Sequence, residues 1–361
     1  LYRGVAGGGF QSRETFALNG LSSIRSLDMT IADLNGDGAP SLYVLLVDSS
    51  SNYKHLYKSA NLTSLSISLE KVGVDFKEFK SLIINDGQHD EQLLLIGGGT
   101  SNGFVLFDYS SQNGYQVIKD LAVNHFPTYG FVYVSKSGTK LYVQESSGSN
   151  SFVFEYENWK EGPLTKTTAW KGISGVWAEG DWNGDGELDI ATTGHRLDYA
   201  LRDPSGLHQV TDLEAAGAAF HDIESSDLNG DGYDDLLLGT RYANSSWSTK
   251  GGLYTAYGHA GLYPPTAHNG ISPATAFDVS FSDFDQDGKK DLLFPDREAG
   301  SIYLQRQYGD GQFHTPTTIV TDLEQPLKLL VEDLDADGDA DLVIGGYFYV
   351  LYVENNNGVL L

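Results

Sequence analysis

The feature that most constrains this chain is a short acidic loop that keeps returning. It reads Asp33-Leu34-Asn35-Gly36-Asp37-Gly38, then Asp181-Trp182-Asn183-Gly184-Asp185-Gly186 through to Asp189, then Asp227-Leu228-Asn229-Gly230-Asp231-Gly232 through to Asp235. It returns as Asp283-Phe284-Asp285-Gln286-Asp287-Gly288 through to Asp291, and as Asp333-Leu334-Asp335-Ala336-Asp337-Gly338 through to Asp341. The last four copies start at 181, 227, 283 and 333, at intervals of 46, 56 and 50, and the 148 residues from 33 to 181 are close to three such intervals. Two degenerate copies, at residues 84–90 and 135–141, fit the gap. A unit recurring at about fifty residues is one supersecondary piece that buries its core against neighbouring copies.

Each loop sits in the same local pattern. An alternating apolar stretch precedes it, as in Phe277-Asp278-Val279-Ser280-Phe281 or Leu327-Lys328-Leu329-Leu330-Val331, and a short apolar run follows, as in Leu236-Leu237-Leu238 or Leu342-Val343-Ile344. This period-two alternation predicts a β-hairpin around the loop. Further on come Leu253-Tyr254 then Gly261-Leu262, Ile302-Tyr303 then Gly311-Gln312-Phe313, and Phe104-Val105 then Gly114-Tyr115. These make four strands per repeat. With 42 Gly and 12% aromatic residues, the expectation is an all-β chain.

Four-stranded antiparallel units at this period predict a seven-bladed β-propeller spanning 1–361 as one domain, with first-to-second-strand loops near 33, 84, 135, 181, 227, 283 and 333. Eight blades, with part of one missing, is the alternative. Segments 1–16 and 347–361 both carry comparable strands, and either could complete the last blade, where an unpaired edge would otherwise be exposed.

The loops have the chemistry of a hard-cation site. Calcium takes six to eight oxygen ligands. Positions 1, 3 and 5 place three short oxygen-bearing side chains on one side of a tight turn, Gly at 6 permits the turn, position 7 offers its backbone carbonyl, and position 9 closes the site. The expected ligand positions are therefore Asp33, Asn35, Asp37, Ala39 and Ser41; Asp181, Asn183, Asp185, Glu187 and Asp189; Asp227, Asn229, Asp231, Tyr233 and Asp235; Asp283, Asp285, Asp287, Lys289 and Asp291; and Asp333, Asp335, Asp337, Asp339 and Asp341. Variety at position 7 is what backbone coordination predicts. An EF-hand is excluded: it requires Glu at position 12, where this chain has Val44, Thr192, Leu238, Phe294 and Ile344. Asp-Gly and Asn-Gly make turns without any metal, but turn chemistry does not require Asp at 1, 5 and 9 together, and stacked carboxylates repel one another. Four strong calcium sites and one weaker one follow, since loop 33 has Ser41 in place of the last Asp. Five ions would take the formal charge from −26 to −16.

These motifs resemble the FG-GAP, or VCBS, repeats of integrin α-subunit propellers and of bacterial surface and secreted proteins. The resemblance covers essentially the whole chain. It implies an extracellular, secreted or cell-surface module for adhesion or glycan recognition, with calcium loops between the first two strands of the later blades. Blade one departs by carrying a loop as well. A minority of such proteins are polysaccharide lyases, so fold does not decide function.

The charge of −26 argues against nucleic acid or an anionic membrane surface as partner. The absence of Cys removes disulfides and thiolate chemistry, and no apolar run reaches the length of a membrane span. The chain starts at Leu1 with no visible signal peptide, and reads as a processed or excised piece of something longer. Asn61-Leu62-Thr63 and Asn244-Ser245-Ser246 match glycosylation triplets.

If the calcium loops brace one face, a ligand belongs on the other. There Arg196, Arg241 and Arg297 follow their acidic loops at offsets of 15, 14 and 14, with His195, Tyr242, Trp247 and His268 nearby. These residues are the expected site for an acidic glycan or matrix component: Arg would pair a carboxylate or sulfate, and Trp247 or Tyr242 would stack on a sugar ring. The bland alternative is that each Arg pairs with local acids such as Asp198, Asp296 or Glu298. A lyase would need a His, Tyr or Lys base, for which His195, His221, His268, Tyr199 and Tyr242 qualify by residue type only. No compact catalytic motif is present.

Overall fold

The computed structural model describes the strands named below and, from residue 176 onward, 176–193, 197–203, 206–207, 211–213, 220–240, 252–262, 264, 266–268, 276, 278–333, 338–346, 349–356 and 359–360. Every described element is a strand. β1 (Arg3–Val5) and β2 (Gly9–Gln11) form a ribbon. Four-stranded sheets follow: β3 (Ile24–Ala32), β4 (Ser41–Asp48), β5 (Lys54–Ser59) and β6 (Leu69–Phe76); β7 (Leu82–Asn85), β8 (Gln92–Gly97), β9 (Gly103–Ser110) and β10 (Gly114–Ala122); and β11 (Val132–Val134), β12 (Lys140–Ser147), β13 (Asn150–Glu157) and β14 (Thr165–Gly172).

The next sheet contains β15 (Val176–Gly180), β16 (Asp189–Thr193), β17 (Leu197–Ala200) and β20 (Thr211–Leu213), with a ribbon of β18 (Arg202–Asp203) and β19 (Gly206–Leu207) inserted before its last strand. β21 (Phe220–Ser226), β22 (Asp235–Thr240), β23 (Leu253–Ala256) and β24 (Thr266–Ala267) form another. So do β25 (Ser280–Ser282), β26 (Asp291–Asp296), β27 (Ser301–Gln305) and β30 (Thr317–Val320), with the ribbon β28 (Gln307–Gly309) and β29 (Gln312–Phe313). β31 (Pro326–Glu332), the hairpin of β32 (Asp341–Gly346) and β33 (Val350–Val353), and the ribbon of β34 (Asn355–Asn356) and β35 (Val359–Leu360) complete the chain.

In each four-stranded sheet the strands lie side by side in chain order, the meander of a propeller blade. The architecture is all-β and built of such meanders, as the repeat requires. One detail differs from expectation. Gly261-Leu262 and Gly311-Gln312-Phe313 belong to the connection before the last strand, not to that strand itself, which is Thr266–Ala267 or Thr317–Val320. Gly114-Tyr115 does open the last strand of its sheet.

Two compact units result, one of 1–171 with 332–354 and 361, the other of 172–331 with 355–360. In the first, β1 lies beside β33, so the N-terminal segment reaches the edge of the hairpin formed near the C-terminus. In the second, apolar faces of successive sheets stack. Trp182, Ala191 and Leu197 meet Phe220, Ile223, Leu236 and Leu238 in one cluster, and Leu237 and Leu253 meet Val279, Leu292 and Phe294 in the next. The second strands are buried along their whole length because they are covered on both faces.

Candidate functional site

The acidic loops join the first and second strands of their sheets. Register fixes their frame: Gly180 pairs with Asp189, Ser226 with Asp235 and Ser282 with Asp291, so positions 1 to 8 form the loop and position 9 opens the second strand. Ala32 pairs with Ser41 in the same way. Asp33, Asn35, Asp37, Ala39, Asp335 and Asp337 lie outside the described residues.

The loop backbone wraps around position 1. Gly186, Gly232, Gly288 and Gly338 each donate their N–H to the carboxylate of Asp181, Asp227, Asp283 or Asp333, at 2.9 to 3.0 Å. These glycines hold φ between 84° and 99°, which a Cβ would strain. The N–H groups of Glu187, Tyr233 and Lys289 bind the position-5 carboxylates of Asp185, Asp231 and Asp287, each at 2.9 Å. Such an array gathers side-chain oxygens on one side of the turn. In the 283 loop the effect is plainest, since Asp283, Asp285 and Asp287 each offer a carboxylate oxygen within 4.8 Å of the others. Asp285 Oδ1 is buried with no hydrogen-bond donor. Its other oxygen pairs with Arg306 Nε at 2.9 Å, and Asp287 pairs with Lys289 Nζ at 2.8 Å. Three converging carboxylates plus an undonated buried oxygen fit a hard divalent cation, with backbone carbonyls of the loop to add to the set.

Position 9 has a second role that the spacing did not reveal. Asp189, Asp235 and Asp291 are fully buried. One oxygen of each accepts the N–H of position 2 (Trp182, Leu228 or Phe284), and the other accepts an N–H beyond the third strand, from Arg202, Gly258 or Gln307. Burial, with the nearby loop carboxylates adding, raises their pKa values to about 7, 6 and 6. In the last hairpin Tyr352 donates its hydroxyl to Asp341 at 3.0 Å.

Position 2 also has a role beyond the spacing of oxygens. Trp182, Leu228 and Phe284 are buried, and their carbonyls accept from the following connection: His259 and Gly261 on Trp182, Gly311 and Gln307 Nε2 on Leu228, Asn355 Nδ2 on Phe284. A sequence signal for it exists, since position 2 is Leu34, Trp182, Leu228, Phe284 or Leu334, apolar in every copy. Position 8 carries none. Asp234 binds the backbone of Asp181, Lys290 Nζ meets Ser226 Oγ, and the equivalent residue in the 181 loop is Leu188.

Of the expected glycan-binding residues, His195, Arg196, Arg241, Tyr242 and Trp247 lie outside the described residues. Arg297 lies in the turn between β26 and β27, where its Nε and Nη2 donate to Gln325 Oε1 at 3.1 and 2.7 Å. Asp296 caps that turn, accepting the N–H of Glu298 and Ala299. His268 is buried against the edge of Phe313, inside the sheet stack rather than on an open loop. Desolvation lowers its pKa to about 4, against a hydrogen bond with Gln305. Tyr199 packs in a T-shaped contact with Trp182 at the margin of the core. His268 is thus closed off from a polysaccharide, whereas Tyr199 is half-buried.

Residues 227–294 and 283–344 match the FG-GAP-like repeat family. No curated protein is similar enough in sequence to count as a relative. Among solved structures, the fold is similar to Sqt1 of Chaetomium thermophilum, with TM-score 0.56 and 10% identity over 92% of this chain and 96% of that one. A chain of the COPII outer coat vertex on membranes aligns with TM-score 0.53 and 13% identity, over 93% of this chain and 85% of that one. A mutant of AofleA from Arthrobotrys oligospora aligns with TM-score 0.50 and 14% identity, over 83% and 88%. At such identities the likeness concerns fold alone.

Proposed function

We propose that this chain, which carries FG-GAP-like repeats over residues 227–344, is a calcium-binding, seven-bladed β-propeller that acts outside the cell as a recognition module. The observation that carries the reading is the 283 loop, where three carboxylates converge and Asp285 Oδ1 is buried without a donor. The shared hydrogen-bond frame extends this to the 181 and 227 loops, and the strand register extends it to loop 33. Calcium here is structural first. It would tie each loop, and the connection docked on its position-2 carbonyl, into one rigid rim. Blade number rests on the seven first-to-second-strand connections of the repeat.

Recognition of an acidic glycan or matrix component falls to the opposite loops, where Arg297 lies in the turn between β26 and β27 and donates to Gln325. The test has two parts. Thermal unfolding with calcium, magnesium or chelator should show a saturable rise in Tm specific to calcium; an unchanged Tm overturns the metal reading. Calcium-loaded protein on an array of uronate and sulfated glycans should bind, and Arg241→Ala with Arg297→Ala should abolish binding. Retention of binding in that double variant overturns the patch.

A further inference from the structure

The 181 and 227 loops meet through Asp234, beside the ring of Tyr233 that lies against Gly184. Asp234 occupies position 8 of the 227 loop, between Tyr233, whose carbonyl is an expected ligand, and Asp235, the closing carboxylate. Its N–H donates to the Asp181 carbonyl at 3.0 Å, and its Oδ2 accepts the Asp181 N–H at 3.0 Å. Both backbone groups of the first residue of one loop are thus held by a residue inside the next. A second tie runs parallel: His259 and Gly261 donate to the Trp182 carbonyl, while their neighbour Gly258 donates to Asp235. Close packing locks the pair together. A Cβ on Gly180 would lie 2.2 Å from Ser225 Oγ, and the Trp182 indole N–H donates to that same hydroxyl.

The link between the 227 and 283 loops shares the tie to the position-2 carbonyl, here Leu228, but differs at position 8. Lys290 takes position 8 there, and its long side chain reaches Ser226 Oγ without holding the backbone of Asp227. A flexible stem transmits little, because its own rotamer freedom absorbs the motion.

We infer that Asp234 couples two cation sites, so that filling either the 181 or the 227 loop strengthens cation binding at the other. The inference rests on the calcium reading above. An ion in the 227 loop fixes residues 231–235, and with them the peptide groups on either side of Asp181, whose carboxylate is the first ligand of the neighbouring site. The second ion then meets a loop that is already ordered, and linkage makes the benefit reciprocal.

Terbium, a luminescent stand-in for calcium, reads this on the full chain. Trp182 lies within the 181 loop and sensitises an ion held there; Asp185→Ala identifies that signal by removing it. Asp231→Ala, which disables the 227 site, should raise the terbium Kd of the 181 site by about fivefold or more. Asp287→Ala, which disables the 283 site, should leave it unchanged. In an Asp234→Ala background, Asp231→Ala should add nothing further. An unchanged Kd in Asp231→Ala protein overturns the coupling, and this holds even if Asp234→Ala does not fold. Absence of any saturable terbium signal in the wild-type chain removes the cation reading itself, and the coupling with it.

Discussion

The Arg202 backbone N–H donates to the Asp189 carboxylate at 2.7 Å, fastening an acidic loop to the ribbon that follows the third strand of its own sheet. Gly258 on Asp235 and Gln307 on Asp291 repeat the relationship. In these three loops the closing Asp is thereby a brace.

That separates two classes of Asp by experiment. Asp235→Ala strands the N–H groups of Leu228 and Gly258, and should cost about 2–4 kcal/mol of stability with or without calcium. Asp231→Ala removes an exposed side chain and should weaken the protein mainly when calcium is present. Urea unfolding in chelator and in calcium checks both; equal losses for Asp231→Ala in the two conditions would count against its role as a ligand.

Arg306 holds Asp285 Oδ2, on the opposite oxygen from the one left without a donor. If the guanidinium competes with the ion for that carboxylate, Arg306→Ala should tighten calcium binding at the 283 loop several-fold, as read by calorimetry. Weaker binding would mean that Arg306 instead positions Asp285.

The first strands carry a pH-sensitive junction. Asp222 accepts the Val279 N–H, Glu224 the Phe281 N–H, and Asp278 the Leu329 N–H together with Lys328 Nζ. Burial, then the charge of Asp278, raises Glu224 to about 8 and pushes Asp222 well above its ordinary value; Lys328 opposes both shifts and Lys290 opposes that of Glu224. A carboxyl whose folded pKa exceeds its unfolded value stabilises most below the unfolded value. That stability is lost as pH rises through the folded pKa, here between about 4 and 8 for Glu224. With saturating calcium, Tm should therefore fall as pH rises from 5 to 8.5, roughly the window of that titration. Glu224→Gln, which keeps the shape and an acceptor for the Phe281 N–H, should flatten the fall. A wild-type slope in that variant would sink the assignment.

Gly232 sits at φ 89° with open space where a Cβ would go. The obstacle to a side chain is therefore backbone conformation alone. Gly232→Ala should cost about 1–2 kcal/mol, and Gly232→Asn less, because Asn tolerates positive φ. Thermal melts of the two variants in calcium give the ordering; an equal cost would point to a steric cause.

The acidic loops are legible in the amino-acid sequence because everything that defines them lies within nine residues: three spaced oxygens, a glycine that needs positive φ, and a flanking alternation that forces a hairpin. Their placement between first and second strands follows from the same local pattern. The last strand of the later sheets is not legible. A Gly-aromatic pair suits a docking connection as well as a strand, and only the carbonyl it must satisfy, Leu228 for Gly311 or Trp182 for Gly261, tells them apart.

The sequence by itself determined the repeat, the all-β class and the spacing of oxygen-bearing side chains in the loops. Tertiary structure alone decided that Asp189, Asp235 and Asp291 brace the connections after the third strands, that Asp234 grips Asp181, and that Asp222 and Asp278 meet. Asp234 lies 53 residues from Asp181, and Asp222 lies 57 from Val279. No local propensity links positions so far apart. They become neighbours because one sheet can bury its apolar face only against the next, and that stacking chooses which polar groups must satisfy each other.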